Sequence, residues 1–307
     1  TVVCLVLHGI GTYASEFDDE TLRFDADLRT RVQARLGDRF EADIIWTPIL
    51  WSDAELERRQ ERLFEGRPWR GAHEFVTSAL CDAATYQYFD GPRYKNSNYQ
   101  RVQTAVHDAI LKSEAAVRER GEDPATTPVM AICHSMGCHV FSSFAWDIIN
   151  APERVIGSDR APGPFERLDT LSAAVFTGCN IPIFTAGIDR VRKLPLHIDR
   201  FDHLAHVQRW YNFFDPDDPL GYPLQVEYAD YYAESPDPAM VRLQERFGRT
   251  PDREVPVQDV EIDLSVFDVG LSALTPLVHN SYWRAKEITN PISDLLIGLS
   301  DARAAAG

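Results

Sequence analysis

The stretch Val129-Met-Ala-Ile-Cys-His-Ser-Met-Gly-Cys-His-Val140 constrains the fold of this chain more than any other. Residues 129–132 are a short apolar run entered from Thr126-Thr-Pro128, the pattern of a buried strand. A turn over Cys133-His-Ser-Met-Gly137 follows, and a helix leaves it through Val140-Phe-Ser-Ser-Phe-Ala-Trp-Asp-Ile-Ile149. A serine on such a tight strand-to-helix corner is held with its hydroxyl proud of the sheet. The first N–H groups of the helix lack intrahelical acceptors and can face a developing negative charge. Ser135 is therefore the candidate nucleophile, and the question is whether the rest of the chain supplies its partners.

The surrounding pattern predicts a mostly parallel α/β sheet. Thr1 to Leu7 is a continuous apolar run rich in β-branched residues, a buried central strand that stops at His8-Gly-Ile-Gly-Thr12. Residues 18–37 carry Leu22, Leu28, Val32 and Leu36 along one side of a helix that Gly37 ends, and 41–50 returns as a strand. Strand, glycine loop, helix, strand is the opening of a parallel α/β unit. Further along come a helix at 100–118, strands at 169–176 and 207–214, an alternating edge strand at 260–266 and a terminal helix from about Ile292. Residues 229–256 read as helix and loop.

Two stretches do not fit the repeating pattern. Residues 51–97 read as a charged helix at 52–64, breakers at Gly66, Pro68 and Gly71, and a second helix at 72–88. The aromatics there and at its edge (Trp69, Phe75, Tyr86, Tyr88, Phe89, Tyr94 and Tyr99) are better read as core than as the lining of a substrate entrance. Residues 181–206 form a mixed connector. Both are candidate lid or cap insertions on one domain spanning 1–307.

Bulk properties narrow the function. A net charge of −16 argues against nucleic acid as a partner and against docking on an anionic membrane through a basic patch. No apolar run approaches a membrane span and nothing resembles a signal sequence. The five cysteines are odd in number and dispersed, which fits a reduced, cytoplasmic-type interior. The chain begins at Thr1 without a methionine, so a segment removed upstream stays open.

A serine hydroxyl needs a base within hydrogen-bond reach and a carboxylate to fix that base's tautomer. In a parallel sheet such groups are sought just past the strands' C-terminal ends. For the carboxylate, Asp215, Asp217 and Asp218 all follow the 207–214 strand, and Asp218 is favoured because it sits where the loop turns back over the sheet. Of nine histidines, His279 follows the last strand in a loop, whereas His134 and His139 flank the nucleophile and His73 and His107 lie on helices. His197, His203 and His206 with Asp199 and Asp202 resemble a metal cluster only in composition. They lack the helical spacing of one, and a solvated connector is preferred. The oxyanion requires two N–H donors: Met136 after the nucleophile, and Gly9 or Ile10 in the early glycine loop. That loop lacks the third glycine and the acidic residue of a dinucleotide site.

With these pieces assembled, the chain resembles the α/β-hydrolases of the lipase and esterase type. Cys133-His-Ser-Met-Gly137 is similar to the family's Gly-x-Ser-x-Gly, with Cys133 in place of the first glycine. Asp218-Pro-Leu-Gly-Tyr222 resembles the Asp-Pro-Val-Ala-Tyr loop of intracellular phospholipase relatives. His279-Asn-Ser-Tyr-Trp283 is similar to a segment of little-characterised bacterial hydrolases that also begin His-Gly-Ile-Gly-Thr. The resemblance implies an α/β-hydrolase fold, a Ser135–Asp218–His279 triad, an oxyanion hole from Met136 with Ile10 or Gly9, and no metal or organic cofactor. It implies cleavage of a small-molecule or lipid carboxylic ester. A thioesterase or amidase would use the same groups, and a non-catalytic binding module would share the fold.

Overall fold

The computed structural model describes residues 1–10, 23–52, 62, 80–87, 97–158, 160–186, 191, 194–236, 238–247, 256–264 and 276–306. Its centre is a six-stranded sheet: β1 (Val2–Leu7), β2 (Ile44–Ile49), β3 (Val129–His134), β4 (Leu171–Thr177), β5 (Trp210–Phe214) and β6 (Val257–Glu261). The strands lie in the order β2-β1-β3-β4-β5-β6, and every neighbouring pair is parallel. All six C-terminal ends therefore meet at one edge. The chain steps from β1 outward to β2, then returns to place β3 on the other side of β1. That reversal, between β1 and β3, is the usual ligand position in an open α/β sheet.

Helices cover both faces, which explains why β1 is apolar throughout. Val3, Leu5 and Leu7 face one core and Val2, Cys4 and Val6 the other. The first core is closed by α3 (Asn98–Glu119) and α4 (Met136–Asn150), through residues such as Val106, Ile110, Phe141 and Phe144. The second is closed by α1 (Ala26–Leu36), α2 (Arg39–Asp43) and the C-terminal α10 (Lys286–Ala306), through Leu28, Val32, Phe40, Ile292 and Leu296. Truncating a fully buried leucine such as Leu5 to alanine costs roughly 2–5 kcal/mol in such a core. Between these elements lie α5 (Glu153–Ile156), α6 (Ile181–Thr185), α7 (Gln225–Glu234), α8 (Pro238–Phe247) and α9 (Pro276–His279).

Several boundaries differ from the expectation for physical reasons. Residues 39–43 form a short helix, stabilised by an Arg39–Asp43 pair at 3.0 Å and the buried Phe40, so β2 starts at Ile44 rather than at 41. The terminal helix begins at Lys286, before Ile292. It runs through Pro291, giving up one backbone bond there while Ile288 and Ile292 bury on the second core. β6 occupies 257–261, earlier than the alternating run at 260–266, and residues 265 and 266 lie outside the described set.

Of the 51–97 stretch only residues 51, 52, 62, 80–87 and 97 are described, and 80–85 are helical. Tyr86 and Tyr99 are buried and stacked at 4.8 Å, so these two are core; Trp69, Phe75, Tyr88, Phe89 and Tyr94 lie outside the described residues. In the 181–206 connector α6 leaves the C-terminal end of β4. By His197, whose N–H donates to the Leu171 carbonyl at 2.8 Å, the chain has reached the opposite end of that strand. Among the described residues no helix is long and apolar enough to cross a membrane.

Candidate active site

Ser135 is the corner between β3 and α4, with φ 52° and ψ −125°. Side-chain-bearing residues adopt positive φ rarely, and the surrounding contacts must hold it there. Its N–H donates to the Thr177 carbonyl at 2.9 Å, and its carbonyl accepts from the Cys138 N–H at 3.0 Å. The two small positions of the motif are unequal. A Cβ on Gly137 would lie 2.4 Å from the His8 carbonyl oxygen and 3.0 Å from that of Leu7, so only glycine lets α4 pack against the end of β1. Cys133 lies within β3 between Leu7 and Phe176, with its side chain in the first core, where a thiol fits.

At the strand-order reversal the β1 loop lies against the serine. A Cβ on Gly9 would lie 2.7 Å from Ser135 Cβ and 3.3 Å from Oγ, so the Gly9 backbone abuts the hydroxyl directly. Met136 is the first residue of α4, and its N–H belongs to the group with no intrahelical acceptor. Ile10 is half-buried and packs against the first core.

His279 closes α9, and its Nε2 lies 2.6 Å from Ser135 Oγ. Its Nδ1 lies 2.8 Å from Asp218 Oδ2 and 3.0 Å from Oδ1. Both side chains are almost fully buried. Asp218 Oδ1 also accepts from the Leu220 N–H at 2.9 Å, and Oδ2 from the Tyr282 hydroxyl at 2.8 Å. Burial pushes the Asp218 carboxyl upward, but His279, the Leu220 N–H and Tyr282 together outweigh it and hold Asp218 below the usual aspartate value. The three chemical groups are thus within hydrogen-bond reach, in the chain order Ser, Asp, His.

The other candidates have other uses. Asp215 ties down the turn: Oδ1 accepts the Asp217 N–H at 2.8 Å and Oδ2 the Leu264 N–H at 2.6 Å. Asp217 is exposed. Asp199 and Asp202 pair with Arg242 and Arg246 of α8. His134 and His8 are buried, and burial above all pushes each down to about 3, so both stay neutral. His8 stacks on Trp51 at 4.6 Å and accepts its backbone N–H at 3.3 Å. His134 lies against the His279 ring at 4.8 Å, with Nδ1 3.2 Å from the Thr177 carbonyl.

No family model, curated protein or solved structure matches the chain. The site therefore rests on its own geometry. Three of its residues escaped the sequence reading. Gly178, at φ +53°, would carry a Cβ 3.2 Å from His279 Cε1 and 3.1 Å from Asp218 Oδ2, and one on Gly221 would lie 2.6 Å from that same oxygen. Tyr282, the third, is buried beside both. Its sequence signal is its place in His279-Asn-Ser-Tyr-Trp283, three residues after the histidine.

Proposed function

We propose that the protein is a serine hydrolase of the α/β-hydrolase type that cleaves a carboxylic ester. One observation carries the reading: a positive-φ serine at the C-terminal edge of a parallel sheet, 2.6 Å from a histidine whose other nitrogen is 2.8 Å from a buried aspartate. Ser135 Oγ attacks the carbonyl carbon as its proton passes to His279 Nε2. Asp218 keeps the proton on Nδ1 in the resting tautomer and stabilises the imidazolium as it forms. The N–H groups of Met136 and of Gly9 or Ile10 hold the oxyanion. Collapse expels the alcohol with the proton from Nε2, leaving an acyl-Ser135. Water then attacks that ester, gives its proton to His279, and the carboxylic acid leaves as Ser135 regains its hydrogen.

Ser135 has no solvent-exposed surface, which strengthens every electrostatic interaction around it. A thioester would pass through the same steps. The test is a fluorophosphonate probe read by mass spectrometry, with p-nitrophenyl acetate turnover beside it. Phosphonylation of Ser135, lost with Ser135→Ala, supports the reading; well-folded protein left unlabelled in both assays makes it a non-catalytic module.

A further inference from the structure

The triad as drawn leaves open what holds Asp218. Its carboxylate stands on a turn between β5 and α7, and His279 arrives from a segment sixty-one residues away. One side chain ties the two. Tyr282 lies in the single 3₁₀ turn Tyr282–Arg284 that follows His279, and is fully buried. Its hydroxyl donates to Asp218 Oδ2 at 2.8 Å and accepts the Asp215 N–H at 3.0 Å. Both hydrogen-bonding capacities of the phenol are thus spent on the acid's own turn. Its ring is seated between two glycines: a Cβ on Gly178 would meet Tyr282 Cε2 at 2.8 Å, and one on Gly221 its hydroxyl at 2.9 Å.

We propose that Tyr282 is a positioning residue for the reaction: its hydroxyl fixes the Asp218 carboxylate against His279 and withdraws part of that carboxylate's charge. The inference rests on the hydrolase reading and deepens the account of its site. Burial first, and then the charge on Asp218, raise the Tyr282 phenol above its ordinary value, so it remains a donor across the working pH range. Among the described residues the other titratable groups that face this cluster are His134, which stays neutral against the His279 ring, and Asp215, whose oxygens are turned to the Asp217 and Leu264 N–H groups. Neither supplies a donor that could replace the phenol.

Removing the hydroxyl while keeping the ring separates positioning from packing. Hydrogen bonds to charged groups are the stronger class, so Tyr282→Phe should lower kcat for p-nitrophenyl acetate by roughly tenfold to a hundredfold with KM unchanged. Asp218 then holds its charge more concentrated and stabilises the imidazolium more, so the acid limb of the pH–rate profile moves to higher pH. A fluorinated tyrosine installed at 282, a stronger donor in the same slot, moves the limb the other way. It also keeps the test alive if the Phe variant misfolds. Wild-type protein that reacts with the fluorophosphonate while the Phe and fluorotyrosine variants match it in kcat and in pH profile overturns this inference alone. Wild-type protein that no fluorophosphonate labels overturns the hydrolase reading and this one together.

Discussion

Two buried charged groups at opposite ends of the sheet, Asp218 and Arg209, are treated differently. At the C-terminal end the acid is over-supplied: Asp218 receives His279, Tyr282 and the Leu220 N–H, and Asp215 receives two backbone donors. At the N-terminal end, just before β5, Arg209 is 1 % exposed, and its three side-chain nitrogens have no hydrogen-bond partner among the described residues. Burial pushes its guanidinium down to about 10, with Asp199 the opposing charge. A saturated carboxylate network holds its members in one geometry, whereas a buried cation without hydrogen bonds costs stability.

The largest expected effect tests the saturated end. Asp218→Asn should lower kcat by about 10⁴-fold, because His279 loses its tautomer control while the geometry survives. Asp215→Asn should act mainly on stability, since its oxygens serve the turn and β6's exit rather than the histidine. Steady-state kinetics and urea melts on both variants decide the matter. A greater loss of kcat in Asp215→Asn would move the acid to 215 and dissolve the contrast.

The other end is tested by stability alone. Arg209→Met keeps most of the volume and removes a desolvated charge with no hydrogen-bond partner among the described residues, so it should raise the unfolding free energy by roughly 1–3 kcal/mol and leave kcat unchanged. Urea midpoints with unchanged slopes measure it. A destabilised variant would mean that the guanidinium contributes more than its packing, and the two ends would no longer differ in kind.

How much of this was legible in the sequence follows from which signals are local. The Ser135 corner was readable because strand, turn and helix are contiguous, and β1 because a strand buried on both faces is apolar at every position. Asp218 and His279 were readable once strand ends were known to share an edge. The roles of Tyr282, Gly178 and Gly221 were not, because each is defined by what lies across a loop: a tyrosine looks like core until its hydroxyl is seen on the Asp215–Asp218 turn. The helical start at Lys286 was hidden by Pro291, a residue that signals a boundary locally and is overridden by burial on either side. The Arg209 side chain gave no signal: it fell inside the expected 207–214 strand, which starts only at Trp210, and an arginine there is ordinarily solvated.

Glu166 supplies the smallest effect and the sharpest control, because it lies near the same N-terminal end as Arg209 and is buried but fully matched. Its oxygens accept from Arg160 Nη1 at 2.9 Å and Nη2 at 2.5 Å and from the Gly163 N–H, and His107 Nε2 lies 2.9 Å away. Arg160 above all, working against burial, lowers Glu166 from the ordinary 4.5 to about 2. A carboxyl depressed on folding gives stability that is full above its unfolded value and is lost as pH falls through its folded one. The window is therefore about pH 4.5 down to 2. Because Arg160 is half-exposed, solvent screening cuts the linkage to about 1–2 kcal/mol. Glu166→Gln should be less stable than the wild type by that amount at pH 7, and the gap should close as pH falls through the window. A gap that stays constant to pH 2 would assign the loss to altered hydrogen bonding rather than charge, and the N-terminal end would then contain no well-paired carboxylate to set against Arg209.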